Sequence, residues 1–214
     1  MAVADERGRM VALHEPDRMV FFSDAVVAIA MTLLALELPV PHSDSARELV
    51  AQLDAHSAEY GAFVLSFFSV AGAWEGHHTL FAHVARIDAT TIGRNVQWLF
   101  LVVMAPFVTK LVTSGGAGTV SLRLACYGVL MGLLSIALLR IYQHQRRRDL
   151  LDETGAHPLR EWARRRAAVL ALAVLSIPLA FVVWWAAVLC WVLGPLTLRW
   201  LGVWRAHRAR RAGG

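Results

Sequence analysis

The chain is a series of apolar runs, each long enough to cross a lipid bilayer, separated by short polar segments. Windows of about 20 apolar residues predict spans over 19–38, 60–83, 96–112 and 122–142, followed by a long block over 167–204. As one straight helix this block would measure about 57 Å, against a hydrocarbon core of about 30 Å. We therefore expect it to cross twice, over 164–182 and 184–204, with a turn near 181–185 or slightly earlier at Pro178.

The arginines predict which side of the membrane each loop faces. Clusters at 146–148 and 160–166 precede the last block, and further arginines at 205–211 follow it. Because arginine accumulates in cytoplasmic loops, both flanks of the block are expected to be cytoplasmic. The sequence thus predicts an all-α membrane protein of the cell inner membrane. It would be a single domain over 1–214 with six transmembrane helices and both termini inside.

Composition and charge agree with a membrane protein. Hydrophobic residues make up 57% of the chain and charged residues 17%, whereas soluble domains have about 45–50% and about 25%. Topology and contact with anionic membrane lipid account for the net charge of +5, so no nucleic-acid partner is expected. No polar stretch is long enough to bury a core, and the function must lie in the spans. Residues 43–53, between the first two spans, predict a short capped helix.

The first span begins with a polar cluster formed by Arg18, Ser23 and Asp24. A carboxylate in lipid costs about 2.5–3.5 kcal/mol, so Asp24 should have a role. Arg18 and Asp24 are six residues apart, about 120° from eclipsed on a helix, and are poorly placed to pair only with each other. Buried polar groups in a membrane need protein partners. Side chains on the next two spans are the candidates: Trp74, His77, His78 and Asn95.

The middle of the first span carries an apolar stripe. Ile29, Leu33 and Leu36 follow at i, i+4 and i+7 and share one helix face, with Thr32 beside them and Glu37 near the far end. In an arbitrary transmembrane helix such a stripe packs against a neighbouring span. Here polar groups flank it at both ends, as in a helix that lines a pore when several copies surround an axis.

The first span resembles the first-span signature of the transmembrane protein 175 family, which comprises the lysosomal potassium channel and its bacterial relatives. The residues that carry the resemblance are Arg18 with Phe22-Ser23-Asp24, then Ala28-Ile29, Thr32-Leu33-Leu34 and Leu36-Glu37. Positions on the second and third spans are similar to the family's pattern as well: Phe67, Trp74, His77, His78, Asn95, Pro106, Phe107 and Thr109. The motifs cover about the first half of the chain, and the second half agrees in span count only.

The resemblance implies a potassium channel fold without a P-loop selectivity filter, and no Thr-Val-Gly-Tyr-Gly sequence occurs in the chain. It implies a pore lined by the first span, with its constriction at Ile29, continued by Leu33 and Leu36, and its selectivity threonine at Thr32. A homotetramer that passes potassium ions, in contact with membrane lipid and with no cofactor, is the implied assembly. The family's structural anchor motif, which ties the pore helix to the second and third spans, falls on Arg18, Phe22, Ser23 and Asp24.

Particular residues also raise other possible functions. Glu75 and His78 have the i, i+3 spacing of di-metal bundles, but such sites need a second pair and none is found, so no metal is expected. Glu75, His77 and His78 would relay protons in a proton-coupled transporter or a proton-permeable channel. Paired inverted halves, typical of transporters, are not apparent. No catalytic constellation indicates an enzyme.

Two Gly-x-x-x-Gly pairs, at 72–76 and 128–132, predict close approach of neighbouring helices. Most of the eight tryptophans lie near predicted span ends, as interfacial anchors do. Both features concern packing and carry no chemistry of their own.

Overall fold

The computed structural model describes residues 2–4, 10–12, 16–152, 154 and 156–192, and most of them are helical. Strands β1 (Ala2–Ala4) and β2 (Met10–Ala12) pair antiparallel, with Ala2 opposite Ala12. A 3-10 turn over Ala117–Thr119 precedes the sixth helix. The helices are α1 (Asp17–Leu36), α2 (Ala46–Ala55), α3 (Ser57–Phe81), α4 (Ala89–Val103), α5 (Ala105–Thr113), α6 (Val120–Arg147) and α7 (Ala156–Val182), followed by a helix over 184–192.

In the described part of the chain, four helical stretches are long and apolar enough to cross a membrane: Asp17–Leu36, Ala89–Thr113, Val120–Arg147 and His157–Val182. The predicted span over 60–83 falls largely on α3, which is 25 residues long but is not among these four. The predicted span over 184–204 begins in the helix over 184–192, and its remainder lies outside the described residues. The count of six spans and the single domain over 1–214 stay predictions.

The third predicted span, over 96–112, lies within two consecutive helices. α4 ends at Val103, and α5 begins at Ala105 with Pro106 in its first turn. Proline has no N–H to donate to the carbonyl four residues back, so the helical ladder is interrupted there. The Met104 N–H still donates to the Phe100 carbonyl, and the Val108 N–H donates to the Met104 carbonyl. The two helices therefore continue as one path across the bundle.

The chain reverses direction after α7. Pro178 lies inside this helix, which ends at Val182, and helix resumes at 184. Ala187 then packs with Leu124, and the Trp191 ring meets Tyr127 edge-on with 5.5 Å between centroids. The last helix therefore runs alongside α6 in the same direction, from Leu124 towards Tyr127, back into the bundle. The break at residue 183 falls within the turn predicted at 181–185.

The segment between α1 and α3 contains the predicted capped helix, which is confirmed as α2. The Ser45 side chain accepts a hydrogen bond from the Glu48 N–H at 3.2 Å, as an N-cap residue does. The Gln52 side chain also exchanges two hydrogen bonds with the His42 backbone. None of the α2 residues is buried in the single chain.

Helix α6 is the centre of the bundle, because α3, α4, α5 and α7 all pack on it. Its Leu138 and Ile141 are fully buried, as are Trp98 on α4 and Leu80 on α3. In lipid, helices associate through close packing and interhelical hydrogen bonds rather than through removal of apolar surface from water. The fit around α6 is therefore a main source of the bundle's stability.

Only one glycine of each Gly-x-x-x-Gly pair lies at a close helix contact. A Cβ at Gly128 would lie 2.9 Å from the Ser176 Oγ atom and 3.2 Å from a carbon of Ile177, both on α7. At Gly132 the nearest atoms would be 3.7 Å away, which is an ordinary contact. In the first pair, Gly72 has open space, while Gly76 faces the guanidinium of Arg166. The pattern thus predicts close approach but not which glycine provides it.

The loops after α3 and after α6 are joined by backbone hydrogen bonds. The Ala85 N–H donates to the Leu150 carbonyl at 3.0 Å, and the Asp152 N–H donates to the His83 carbonyl at 3.0 Å. The chain leaves α6 through Asp149, whose φ of 54° is a left-handed conformation that aspartate tolerates better than most residues. The ends of α3, α4, α6 and α7 are held together through this contact.

The two glycines of α6 provide a matched test of packing against α7. Gly128→Ala should lower the midpoint of thermal unfolding in detergent, because overpacking costs about 1–3 kcal/mol and the gain in helix propensity is only about 0.5–1 kcal/mol. Gly132→Ala gains the propensity without the crowding and should leave the midpoint unchanged or raise it. Scanning fluorimetry measures both, and equal shifts for the two variants would contradict the assigned contact.

Candidate functional site

Helix α1 has one buried face and one open face. Ser23, Val27, Ala30 and Leu34 are buried and recur at helical spacing along one stripe. Through this stripe α1 packs on α3, α4 and α5. The other side of the helix is exposed in the single chain and is available to lipid, to another copy or to an aqueous path.

The predicted constriction and selectivity residues lie together on the open face. Ile29 is 60% exposed, Leu33 41% and Leu36 79%. The Thr32 side chain lies between them and is also exposed, and its hydroxyl donates to the Ile29 carbonyl at 2.8 Å. Because the proton is used within the helix, the hydroxyl oxygen keeps its lone pairs for an outside partner. The open face thus presents apolar side chains with one oxygen acceptor among them.

Asp24 is held by the indole of Trp74 on α3. The Trp74 Nε1–H donates to the Asp24 Oδ1 at 2.8 Å. Asp24 is half-buried, and the Trp74 side chain is 38% exposed. A hydrogen bond to a charged group contributes about 1.5–3 kcal/mol. This bond fixes the beginning of α1 against α3.

Asn95 connects three helices through its single amide. Its nitrogen donates to the Ser23 Oγ at 2.8 Å, and its oxygen lies 2.8 Å from the His77 Nε2. Ser23, His77 and Asn95 are all fully buried. Since the amide oxygen can only accept, this arrangement assigns the His77 proton to Nε2. The Ser23 hydroxyl donates its own hydrogen bond to the Met19 carbonyl at 2.8 Å, so the chain of bonds ends in the backbone of α1.

His77 and His78 have different surroundings although they are neighbours in sequence. The His77 ring stacks on Trp98, with 4.4 Å between centroids and 17° between planes, and it also contacts Phe81. His78 is exposed, and its ring lies 5.7 Å from that of Trp74. Within the described residues, no hydrogen bond joins His78 to α1. It therefore contacts the predicted anchor only through Trp74.

The other two residues of the predicted anchor motif lie away from these partners. Phe22 is 59% exposed on the open face of α1. Arg18 is exposed as well, and it forms no hydrogen bond or ion pair with the part of the chain that the structure describes. The structure thus brings Ser23 and Asp24 together with Trp74, His77 and Asn95, but not Arg18 or Phe22.

Metal binding finds no geometric support at Glu75 and His78. Among the residues that the structure describes, no three His, Cys, Asp or Glu side chains come close enough to hold a metal ion. Glu75 is exposed on α3 and lies within electrostatic range of Arg166.

Arg166 occupies the space that Gly76 leaves empty. Its guanidinium donates to the Gly72 carbonyl, and the neighbouring Trp162 Nε1–H donates to the Gly76 carbonyl at 3.0 Å. These bonds attach α7 to the same helix that holds Asp24. In the sequence Arg166 looks like one of several loop arginines, and only the packing distinguishes it.

A polar cluster that the sequence does not predict lies at the start of α4. Asp88 caps α4, where it accepts from the Thr91 N–H at 2.8 Å, and its carboxylate lies 2.8 and 3.0 Å from the His144 Nε2. Burial alone would raise the pKa of Asp88, but the hydrogen bonds from Thr91 and His144 outweigh it and hold the pKa below its ordinary value. An aspartate before an apolar run is an N-cap pattern, whereas its partner on α6 has no local indication.

The far end of α1 is tied to α5 by an ion pair between Glu37 and Lys110. Both side chains are substantially exposed, so the pair contributes about 0–1 kcal/mol. Together with Asp24 and Ser23, it gives α1 polar contacts near both of its ends.

Comparison with known proteins identifies the same region of the chain. The family model described as endosomal/lysosomal potassium channel TMEM175 matches residues 18–106, which include all of α1 but its first residue and both helices that hold its polar end. A Streptomyces collinus protein named a potassium channel is 32% identical over 176 residues, covering 79% of this chain and 84% of that protein. The human endosomal/lysosomal proton channel TMEM175 is 40% identical over 85 residues, but these cover only 35% of this chain and 17% of the human protein.

The fold is shared with a solved relative. The crystal structure of a lysosomal potassium-selective channel TMEM175 homologue from Chamaesiphon minutus superposes with a TM-score of 0.74 at 30% identity. The match covers 86% of this chain and 97% of that one. Sequence similarity over most of the chain and a common arrangement of helices lead to one assignment. This chain belongs to the TMEM175 family of transmembrane ion channels.

Proposed function

We propose that this protein is a potassium-permeable cation channel that conducts passively through a pore lined by α1. The observation that carries the proposal is the open face of α1, where Ile29, Leu33 and Leu36 form an apolar stripe around Thr32. The names of the bacterial relatives support a channel for potassium. No enzyme activity is proposed.

A pore requires several copies of the chain, because one α1 helix cannot enclose an ion path. A homotetramer of six-span chains in the cell inner membrane, with both termini in the cytoplasm, is the proposed assembly. Four open faces of α1 would then meet at a central axis, and the buried stripe of each would remain on its own bundle. The exposure of these apolar side chains in the single chain supports this arrangement.

Selectivity is proposed to come from partial dehydration at the apolar ring. Ile29 forms the constriction, and Leu33 and Leu36 extend it. An ion that passes must lose part of its water, and sodium holds its water more tightly than potassium does. The Thr32 oxygen offers a lone pair to the partly dehydrated ion, as pore-lining oxygens do in other channels. Sodium is therefore hindered more than potassium.

The anchor motif is proposed to set the rotation of α1 about its own axis. The bonds from Trp74 to Asp24 and from Asn95 to Ser23 attach the buried side of the helix at adjacent positions. Two fixed points on one face prevent rotation, so Ile29 keeps facing the axis. Phe22 would contact a neighbouring subunit, and Arg18 would lie at the membrane surface.

A proton-permeable channel or a proton-coupled transporter is the alternative. The human relative named a proton channel favours it, as does the hydrogen-bonded path from His77 through Asn95 to Ser23. An amide in the middle of this path is a poor relay, because it must tautomerise or rotate to pass a proton. The passive potassium channel therefore remains the first proposal.

Reconstituted protein distinguishes the two functions. In liposomes with a potassium gradient, no pH gradient and a membrane-permeant anion that carries the compensating charge, we expect potassium efflux that is absent when the protein is omitted. The measurement is potassium release with valinomycin as the full-release standard. Efflux that requires a proton gradient would instead support the coupled transporter, and proton flux without potassium flux would support the proton channel.

Ile29→Asn tests the constriction. A polar amide in the ring lowers the dehydration barrier, so we expect a several-fold larger potassium current and a potassium-to-sodium permeability ratio closer to one. Reversal potentials in planar bilayers with potassium on one side and sodium on the other give the ratio. Val174→Asn places the same group on an exposed position of α7 and should change neither quantity. An unchanged ratio in Ile29→Asn would count against the pore assignment.

The bond between Asp24 and Trp74 is tested by Asp24→Ala and Trp74→Phe. Each variant removes one partner, and we expect a lower yield of oligomer or a lower open probability, with little change in the permeability ratio of the channels that remain. Size-exclusion chromatography and bilayer recordings measure the two effects. Trp184→Phe, at an exposed tryptophan, is the control.

The double variant with both substitutions should lose little more than either single variant, because the same bond is already broken. Asp24→Asn, which keeps a side-chain oxygen as acceptor, should retain more oligomer than Asp24→Ala. Normal assembly and conduction in Asp24→Ala would disprove the anchoring role.

A further inference from the structure

A groove lies between α4 and α6 on the surface of the bundle. Its volume is about 100 Å³, well above the roughly 10–15 Å³ that admits a water molecule. Arg94, Gln97 and Arg140 line one end, and Leu101, Leu133 and Ile136 line the other. None of these residues belongs to the pore face or to the contacts that hold α1.

The polar end of the groove carries an excess of positive charge. The Arg94 guanidinium donates to the Arg140 carbonyl and is thereby fixed against α6. The Arg140 side chain is exposed and has no hydrogen bond or ion pair with any residue that the structure describes. Arg147 is also within electrostatic range of Arg94.

The carboxylate near these arginines is already engaged elsewhere. Asp88 acts on Arg94 electrostatically, but its oxygens bind Thr91 and His144. Among the described residues, the charged groups that act on Arg94 are this carboxylate and the guanidinium groups of Arg140 and Arg147, so the balance around Arg94 is positive. Like charges at a membrane surface repel each other unless an anion lies between them.

The groove is amphipathic along the helix axes. Arg94 lies about 7.5 Å from the start of α4, and Arg140 about 10 Å from the end of α6, by the helix rise. Leu101 and Leu133 each lie about 10 Å further from those helix ends, towards the middle of the membrane span. The charged end is thus near the loops, and the apolar end points into the hydrocarbon. A phospholipid in the bilayer is arranged in the same way, with its charged headgroup at the surface and its acyl chains in the hydrocarbon.

We propose that this groove binds an anionic phospholipid, with the phosphate headgroup between Arg94 and Arg140 and an acyl chain along Leu101, Leu133 and Ile136. Guanidinium groups bind phosphate oxygens in bidentate fashion, and Gln97, which also lines the groove, carries amide N–H donors. A free phosphate ion would use the arginines but not the apolar wall. The inference is independent of the proposed pore and needs only the membrane location of the bundle.

Native mass spectrometry of the purified oligomer in detergent tests the proposal. The protein is titrated with phosphatidylglycerol and, separately, with phosphatidylcholine of the same acyl chains. We expect wild-type protein to prefer phosphatidylglycerol. Arg140→Gln should weaken that binding about 5-fold and Arg94→Gln/Arg140→Gln about 30-fold, since each arginine near an anionic lipid contributes about that factor. Phosphatidylcholine binding should not change.

Charge-matched controls separate a site from general attraction. Arg160→Gln/Arg164→Gln removes the same charge from exposed positions on α7 and should change phosphatidylglycerol affinity less than 2-fold. Equal losses in both double variants would overturn the proposal, as would a wild-type protein without preference for phosphatidylglycerol. Arg140→Gln breaks no bond of the described structure, so its result does not depend on refolding.

Inorganic phosphate at millimolar concentration distinguishes a lipid from a free anion. We expect it to leave phosphatidylglycerol binding unchanged. If phosphate displaced the lipid and its effect disappeared in Arg94→Gln/Arg140→Gln, the groove would be a site for free phosphate and the lipid proposal would be wrong.

Discussion

The bundle is organised by the requirement that polar side chains inside a membrane find partners among protein groups. Asn95 meets this requirement for three helices at once, because the two ends of its amide bind Ser23 on α1 and His77 on α3. Without water as a substitute, an unpaired polar group in hydrocarbon costs several kcal/mol. The relative rotation of α1, α3 and α4 is therefore coupled through a single side chain, and the face that α1 leaves open is a consequence of that coupling.

The helices of the membrane region could be predicted well where all their faces are apolar and less well where one face is polar. The first predicted span, 19–38, nearly coincides with α1, whereas hydropathy predicts the third over 96–112 although the helix begins at Ala89. A hydropathy window averages all sides of a helix. Thr91 and Asn95 lower that average, but they point into the bundle and bind protein groups there rather than lipid. The beginning of α4 therefore has the low mean hydropathy of a loop although it is helical.

Some residues around the beginning of α1 could be predicted as neighbours, but their pairing could not. The need to satisfy Asp24 and the resemblance to a known family both indicate Trp74 and Asn95. Which of them binds Asp24 and which binds Ser23 depends on how α3 and α4 rotate against α1, and no local pattern contains that angle. The partners of Arg166 and His144 could not be predicted at all, since Gly72 and Asp88 are far away from them in the sequence. Arg166 and His144 each lie among several basic residues in the sequence, and only the packing of the helices distinguishes them.

The joined loops after α3 and α6 have a consequence for sequence variation. Part of their contact is made by backbone groups: the N–H groups of Ala85 and Asp152 donate, and the carbonyls of Leu150 and His83 accept. Side chains take no part in these four-atom links, so most substitutions leave them intact, and proline at a donor position is the exception because it has no N–H. The ion pair between the His83 and Asp152 side chains, at 3.6 Å, is by contrast open to substitution. This junction of four helix ends therefore depends on the chain's backbone first and on its side-chain charges second.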